Sequence, residues 1–205
     1  MRSSFNTDYQ VFKIVLLGAP SCGKTSLVNR FAHDRFSANS ESTIGAIFLS
    51  KIINIDGQKP IKIEIWDTGG SEKYRSLAAM YYRDAHAALL VCDLTSSQSL
   101  NDAAVWLGEL KEKGPESVVI ALAANKSDLV EARVLKELQI FEFAGSNNIS
   151  LFKETSALSG NNVQELFTGI AMELITRASL NTQTHSKAES LELTAQVNST
   201  PKKCC

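Results

Sequence analysis

Three apolar runs, at residues 11–17, 87–92 and 118–123, are the clearest hydrophobic features of the chain, and only the first contains a charged residue, Lys13. Each is short and rich in Val, Ile, Leu or Ala, as expected for strands covered on both faces of a sheet. A weaker run at 149–153 predicts one further strand. Because strands of this kind are typical of parallel sheets, we expect these four segments to form the parallel part of one sheet.

Two further strands are predicted as an antiparallel pair. Between residues 61 and 66, isoleucines alternate with Lys62 and Glu64, which indicates a strand with one buried and one exposed face. Asp56-Gly57 precedes this segment and is a common hairpin turn. The strand is therefore expected to pair with one over 46–55.

Helical spacing of apolar residues separates most of these strands. A helix is expected to begin near Lys24, and three more are predicted where apolar residues recur at i, i+3, i+4 and i+7. Those residues are Leu100, Ala103, Ala104 and Leu107, then Val134, Leu138 and Phe141, then Val163, Leu166, Phe167, Ile170 and Leu174. The predicted fold class is α/β, with a six-stranded, mostly parallel sheet, one antiparallel strand and helices on both faces.

Composition and charge limit the choice of function. The 205 residues carry 21 Lys and Arg against 22 Asp and Glu, a formal net charge of −1, so nucleic acid is not an expected partner. No apolar run approaches the roughly 18 residues that cross a bilayer, and we expect a cytoplasmic protein. The predicted organisation is a short N-terminal extension over 1–10, one domain over 11–177 and a flexible polar tail over 178–205.

The segment between the first strand and the first helix carries the strongest chemical motif. Gly18-Ala19-Pro20-Ser21-Cys22-Gly23-Lys24-Thr25 fits G-x-x-x-x-G-K-[ST], the P-loop, in the strand-to-helix context that this motif requires. Its backbone N–H groups would surround phosphate oxygens, with Lys24 adding positive charge and Thr25 a hydroxyl for Mg²⁺. Cys22 is interpreted as a small loop filler, the alternative being a thiol of low pKa. The loop alone leaves ATPases, GTPases and nucleotide kinases open.

Three more polar segments follow predicted strands, at the sheet edge where ligands bind in open α/β folds. Asp67 is placed to support Mg²⁺ from behind its ligands, and the Gly70 N–H to reach a γ-phosphate. In Asn125-Lys126-Ser127-Asp128, a carboxylate could accept two N–H groups from a guanine edge, a pattern that adenine does not offer. Thr155-Ser156-Ala157 could present backbone N–H groups to the same base.

In this order, the motifs resemble those of small GTPases of the Ras superfamily, P-loop NTPases with a small G domain, and most closely the Rab family. The resemblance covers roughly residues 12–177. Ser42-Thr43-Ile44-Gly45-Ala46-Ile47-Phe48 has the Rab form of the first switch, and residues 66–83 look like the second. Both switches are most similar to the early-endosomal subgroup. The resemblance implies a switch that binds GTP or GDP with Mg²⁺, hydrolyses GTP, and recruits effectors in vesicle and endosomal traffic.

The resemblance also implies roles for the residues at matching positions. Phosphate contacts are implied for Ser21, Cys22, Gly23, Lys24, Thr25, Ser26, Thr43 and Gly70. Thr25 and Thr43 would hold Mg²⁺ with Asp67 behind them, and Lys24, Gly70 and Ser71 occupy catalytic positions. Guanine contacts are implied for Phe36, which would pack edgewise on the base, and for Asn125, Lys126, Asp128, Ser156 and Ala157. Effector contacts are implied for Ile44, Phe48, Trp66 and Tyr81.

Four positions depart from the family pattern. Ser71 stands where the family usually has the Gln that orients the attacking water, so slow intrinsic hydrolysis is expected. The alternative function is a hydrolysis-impaired, largely GTP-bound module that recruits effectors. Gly69 commonly is Ala in the family, Leu158 usually is Lys, and Pro20 occupies a loop position that influences hydrolysis.

The chain ends in Lys202-Lys203-Cys204-Cys205, which resembles the double-cysteine ending of Rabs. In the family, Cys204 and Cys205 would receive two geranylgeranyl groups, enough for stable but reversible anchoring on the cytosolic face of endosomal or vesicle membranes. The partners implied are an exchange factor, a GTPase-activating protein, Rab escort protein, GDP-dissociation inhibitor and effectors, all acting on a monomeric G domain.

Overall fold

The computed structural model describes residues 9–38, 43–70 and 80–197, with side chains to residue 180. Its strands are β1 (Gln10–Leu17), β2 (Ala46–Ile53), β3 (Ile61–Thr68), β4 (Ala87–Asp93), β5 (Val119–Asn125) and β6 (Leu151–Thr155). Among its helices are α1 (Lys24–His33), α2 (Ser99–Lys113), α3 (Glu137–Ser146) and α4 (Val163–Val197).

Six strands of the described residues form one sheet in the order β2-β3-β1-β4-β5-β6. β2 and β3 are antiparallel, with Phe48 opposite Trp66, and every other neighbouring pair is parallel. The turn between β2 and β3 uses Gly57 at φ 74°, a left-handed conformation that glycine adopts without strain. The predicted α/β class, with one antiparallel strand at the edge of a mostly parallel sheet, is confirmed.

Two apolar clusters cover the two faces of the sheet. On one face, side chains of β1, β3 and β4 pack against α1 and α4, where the rings of Phe31 and Phe167 stack 4.0 Å apart. On the other face, alternate residues of the central strands pack against α2 and α3. β4 is buried along its whole length because helices cover both of its faces. Its unbroken apolar run predicted this position correctly.

The apolar stripe predicted for the third helix is wrong. Val134, Leu138 and Phe141 are 51%, 63% and 61% exposed, whereas Ile140 and Ala144 are buried. Val134 lies before α3 begins, so the three predicted residues do not share one helical face. The residues that are buried have an i, i+4 spacing, so the periodicity rule applies to different side chains.

The stripes predicted for the other two helices are closer to the structure. The five apolar positions predicted at residues 163–174 are all buried in α4. In α2, Ala103 and Leu107 are buried as predicted, but Ala104 is exposed. Trp106 and Leu110 complete the buried face of this helix.

α4 continues past residue 178, where we predicted the polar tail to begin, and ends at Val197. Residues 178–197 contain no Gly or Pro, so no residue in this segment forces the helix to end. The division into domain and tail is therefore not marked by a helix end and stays a prediction. Although α4 has 35 residues, no helix in the described ranges is both long and apolar enough to span a membrane.

Candidate functional site

The polar segments after β1, β3, β5 and β6 surround a cavity of about 780 Å³ at one edge of the sheet. A cavity of this size is ordinary for a cofactor or nucleotide. The predicted site residues that line it are Ser21, Gly23, Lys24, Thr25, Ser26, Phe36, Thr43, Ile44, Gly70, Asn125, Lys126, Asp128 and Ala157. Three other predicted residues, Cys22, Asp67 and Ser156, are buried.

Lys24 lies at the centre of the loop between β1 and α1. Its side chain is buried, and its ammonium Nζ donates to the carbonyl oxygens of Gly18 and Ala19, each at 2.8 Å. The loop therefore wraps around a buried positive charge at the N-terminus of α1. Both the charge and the helix terminus favour an anion in the adjoining cavity.

Two positions of this loop require glycine because atoms of neighbouring strands lie very close to them. A Cβ on Gly18 would lie 2.3 Å from the backbone oxygen of Val91, and one on Gly23 would lie 2.3 Å from Nδ2 of Asn125. Gly23 also has φ 97°, a conformation that other residues rarely adopt. The motif positions thus allow the loop to pack against β4 and β5.

Gly70, which lies just after β3, also approaches this loop closely. A Cβ at this position would lie 2.5 Å from backbone atoms of Ala19 and Pro20 and from Nζ of Lys24. Because two of these three atoms belong to the backbone, a side chain could not be accommodated by rotamer changes alone. Only glycine brings the chain after β3 this close to the lysine ammonium.

Three oxygen-bearing side chains from separate elements meet beside Lys24. The Thr25 hydroxyl lies 2.8 Å from the Thr43 hydroxyl and donates to Oδ2 of Asp67 at 2.5 Å. The other carboxylate oxygen, Oδ1, is buried without a hydrogen-bond partner among the described residues. Burial raises the pKa of Asp67, and the hydrogen bond from Thr25 opposes that shift. Hard oxygen donors with one unpartnered carboxylate oxygen fit a Mg²⁺ ion.

Asn125, at the end of β5, joins the phosphate loop to the segment after β6. Its Nδ2 donates to the Cys22 carbonyl at 3.0 Å, and its Oδ1 accepts from the Thr155 hydroxyl and the Ala157 N–H, both at 3.3 Å. The side chain is buried. We predicted that Asn125 contacts a base, but its hydrogen bonds in this structure hold three loops together.

Lys126 forms an ion pair with Asp93 at the end of β4, with Nζ 2.7 Å from Oδ2. The other oxygen of Asp93 accepts from the backbone N–H and hydroxyl of Thr95. Lys126 has φ 68°, so its backbone is in the left-handed region. The ion pair fixes the direction in which the lysine stem crosses the cavity wall.

Asp128 is held by Ser156, whose hydroxyl donates to Oδ1 at 2.5 Å. Ser156 itself is completely buried. Since the hydroxyl occupies Oδ1, the carboxylate is fixed in orientation at the wall of the cavity. Ser156 thus acts on Asp128 through its buried side chain, and the backbone donors expected from this segment stay a prediction.

The interpretation of Cys22 as a loop filler is supported, and the alternative of a low-pKa thiol is wrong. Cys22 is buried, and this burial raises the pKa of its thiol although Lys24 opposes the shift. Burial likewise raises the pKa of Cys92, on β4, to about 12. Neither thiol has the exposed, electropositive surroundings that reactive cysteines need.

Three aromatic rings form a continuous row on β2, β3 and the segment after residue 80. The ring of Trp66 on β3 lies 5.3 Å from that of Phe48 and 5.4 Å from that of Tyr81. Phe48 is 50% exposed, and the nearby Ile44 is 81% exposed. The predicted effector residues thus present apolar area to solvent, which is typical of interaction sites.

Several predicted residues lie outside the described ranges. They are Ser71, Cys204 and Cys205, together with Ser42 of the first switch and residues 71–79 of the second. The predictions for them rest on the sequence alone.

Sequence reasoning missed Asp93 as a member of the site, and it singled out Thr155 only within a segment of backbone donors, not for its hydroxyl. Both end parallel strands, so the strand-end rule that found Asp67 also applied to them. Asp93 was not recognised because it follows directly on a continuous apolar run. The role of the Thr155 hydroxyl was not recognised because it acts through Asn125 rather than on the cavity.

Comparisons with known proteins agree with this geometry. The sequence model of the Ras family matches residues 13–176. "GTP-binding protein ypt5" of Schizosaccharomyces pombe is 49% identical over 170 residues, which cover 82% of this chain and 80% of that protein. "Ras-related protein Rab-5A" of Dictyostelium discoideum is 46% identical over 163 residues, 80% of each chain.

Proposed function

The chain belongs to the Ras family of small GTPases, within its Rab branch, and on that premise we propose that it cycles between GTP and GDP and recruits effectors on endosomal membranes. The protein is a GTPase, and the similarity to the early-endosomal subgroup noted from the switch sequences is confirmed by the two relatives.

One observation carries the proposal: a fixed carboxylate and a buried ammonium lie at the wall of the same cavity. Asp128 is oriented by Ser156, and Lys24 is seated in the phosphate loop. On this proposal, a nucleotide would lie in the cavity with its base at Asp128 and its phosphates at Lys24. A carboxylate discriminates strongly for guanine, because a base without paired N–H donors leaves the charge unpartnered.

At the phosphate end, Lys24 and the N–H groups of Ser21, Cys22 and Gly23 bind phosphate oxygens, as the resemblance implies. Thr25 and Thr43 would hold Mg²⁺, with Asp67 behind them, and the unpartnered Oδ1 of Asp67 supports this assignment. The ion, when bound, supplies positive charge that offsets the charge of the phosphates. Gly70 brings its own N–H close to the same oxygens, because no side chain separates it from Lys24.

At the base end, the stem of Lys126 lies along one side of the base and Phe36 packs edgewise against the other side. Lys126 is held by Asp93, and Phe36 lies at the cavity wall and is 38% exposed. Leu158, in place of the usual lysine, also lines the cavity. Its replacement of a charge removes one electrostatic contact without blocking the site.

Hydrolysis needs a water aligned on the γ-phosphate, and Ser71 is too short to take the place of the usual glutamine. We therefore propose slow intrinsic hydrolysis, lower by roughly tenfold or more than with glutamine. Rab-type activating proteins supply both an arginine and a glutamine in trans, so stimulated hydrolysis would continue with Ser71 in place.

The second candidate function is a largely GTP-bound recruiting module, and Ser71 is the observation that favours it. Single-turnover hydrolysis with and without the catalytic domain of a Rab-activating protein separates the two. Stimulated hydrolysis supports the cycling switch. Negligible hydrolysis under both conditions, restored by Ser71→Gln, supports the recruiting module.

The identity of the base is tested at Asp128. Asp128→Asn exchanges an acceptor for a donor, so we expect preference to move from GTP to xanthosine triphosphate. Equal binding of ATP and GTP by the wild-type protein would instead support an adenine-dependent P-loop enzyme and overturn the proposal.

Effector recruitment is assigned to Ile44 and Phe48 of the first switch and to Trp66 and Tyr81 of the second. Thr43 is next to Ile44 in the chain. When GTP binding orders Thr43, it would therefore also order this effector surface. Cys204 and Cys205 would carry the prenyl groups that attach the protein to the cytosolic face of endosomal or vesicle membranes. Escort protein and GDP-dissociation inhibitor would handle these groups, while an exchange factor and an activating protein would set the nucleotide.

A further inference from the structure

Arg30 of α1 connects the phosphate-binding helix to the loop that follows β6. Its guanidinium donates from Nε to the Ala157 carbonyl at 2.9 Å and from Nη2 to the Leu158 carbonyl at 2.7 Å. Its third nitrogen, Nη1, donates to the backbone oxygen and to Oδ1 of Asp34, at 3.0 and 2.8 Å. Each of the three guanidinium nitrogens therefore donates at least one hydrogen bond.

The segment that Arg30 holds, residues 156–160, contributes Ala157 and Leu158 to the cavity wall. Within it, Ser156 orients Asp128, and the Ala157 N–H points toward Asn125. The loop is closed on itself by the Gly160 N–H, which donates to the Ser156 carbonyl at 2.8 Å, and by the Ser159 N–H, which donates to the Ser156 hydroxyl at 3.0 Å. A shift of the two carbonyls would therefore move the hydroxyl that fixes Asp128.

The Arg30 contact suits an arginine specifically. A planar guanidinium donates in two fixed directions at once, so it can hold successive carbonyls in one orientation, whereas an ammonium is a single point charge. The side chain of Arg30 is only 16% exposed, which limits competition from water. Leu158 is 51% exposed, so the side chain of this residue does little to seat the loop.

We propose that Arg30 is a positioning residue for base recognition, which sets the 156–160 loop and, through Ser156, the carboxylate of Asp128. The inference rests on the proposed guanine-binding function. It also explains how α1 and the 156–160 loop keep their positions relative to each other. α1 begins at the phosphate loop and carries Arg30 about two turns further on. Arg30 itself is not among the residues that line the cavity.

The test compares the affinities of the full-length protein for GDP and for inosine diphosphate. Inosine lacks the 2-amino group of guanine, so the ratio of the two affinities reports how well Asp128 is aligned. For Arg30→Ala, we expect GDP affinity to fall about tenfold and the GDP-to-inosine ratio to fall at least about threefold. Arg30→Lys, which can reach one carbonyl only, is expected to lie between wild type and Arg30→Ala.

Arg177→Ala is the matched control. Arg177 also pairs with a carboxylate four residues away, Glu173 at 2.8 Å, and also donates to a backbone carbonyl, that of Ser117 at 3.1 Å. It lies on α4, outside the cavity lining. We expect Arg177→Ala to leave both affinities and their ratio at wild-type values.

An equal fall of both affinities in Arg30→Ala would mean that the arginine supports the fold and not the alignment of the base, and would overturn the inference. If Arg30→Ala does not fold, an unchanged ratio in Arg30→Lys overturns it instead. If the wild-type protein prefers guanine and both variants keep its GDP-to-inosine affinity ratio, this inference is wrong and the proposed function is unaffected. Wild-type protein without a preference for guanine removes both.

Discussion

Replacing Asn125 with alanine would remove the side chain that joins the phosphate loop to the loop after β6. The amide donates to the Cys22 carbonyl at 3.0 Å and accepts from the Thr155 hydroxyl and the Ala157 N–H at 3.3 Å. The substitution deletes all three hydrogen bonds. The space it leaves is lined by the polar groups that lost their partners.

The free-energy cost of Asn125→Ala follows from these contacts. A buried polar group without a partner costs about 1–3 kcal/mol, and the two bonds at 3.3 Å are at the weak end of the range. One ordinary and two weak bonds together give about 2–4 kcal/mol. If all of it falls on nucleotide binding, the affinity decreases roughly 30- to 1,000-fold.

The assay is the dissociation rate of fluorescent GDP in the presence of Mg²⁺ and excess unlabelled nucleotide. We expect Asn125→Ala to release GDP at least tenfold faster than wild type, with the remainder of the cost appearing as a lower free energy of unfolding. Asn147→Ala is the control, because Asn147 also donates its amide to a backbone carbonyl, that of Phe143 at 2.9 Å, but lies outside the cavity lining.

Release from a folded Asn125→Ala protein at a rate within twofold of wild type would refute this reasoning. It would mean that the three loops keep their positions without the amide. The same rate in Asn147→Ala and Asn125→Ala, both faster than wild type, would attribute the effect to general destabilisation instead.

Three further predictions concern hydrolysis, the base end and the buried thiols. Ser71→Gln should raise intrinsic single-turnover hydrolysis roughly tenfold or more, and no increase would show that water alignment does not limit the rate. Asp93→Asn removes the charge that faces Lys126, a partly buried pair worth about 0.5–1 kcal/mol, so GDP release should quicken about two- to fivefold; an unchanged rate would contradict this role. Because burial raises the thiol pKa of Cys22 and of Cys92, both remain protonated at pH 8 and should be alkylated only after unfolding, as peptide mass spectrometry would show; labelling in the folded protein would contradict it.

Local sequence patterns predicted the sheet because each strand carries its own signal. The continuous run of β4 and the alternation of β3 depend only on which faces are covered, and the structure covers them as expected. The phosphate loop was equally accessible, since its charge, its glycines and its helix terminus lie within eight consecutive residues.

Contacts between distant positions could not be predicted in the same way. Asp93 pairs with Lys126, and Arg30 holds Ala157, because four strands bring their ends to one edge. Nothing local to either partner specifies the other. Asp93 and Arg30 also act on the site through neighbouring residues. Their residue types and positions in the sequence therefore do not indicate a ligand.

The face of α3 was predicted wrongly for another physical reason. Phe141 and Leu138 are large and apolar, yet they are exposed, and the small Ala144 is buried instead. Exposed apolar side chains are common on protein surfaces, so size and hydrophobicity alone do not select the buried stripe. The true start of the helix, two residues after Leu135, would have been needed to choose between the faces.

The nucleotide carried by the purified, full-length protein tests most directly whether the cavity is a guanine-nucleotide site. The protein should be denatured, and the released nucleotide identified and quantified by chromatography, before and after incubation with GTP and Mg²⁺. We expect guanine nucleotide in near-equimolar amount, with slow conversion of loaded GTP to GDP. Release of adenine nucleotide, or failure to retain GTP after loading, would contradict the assignment of Asp128 and Lys24 to the two ends of a guanine nucleotide.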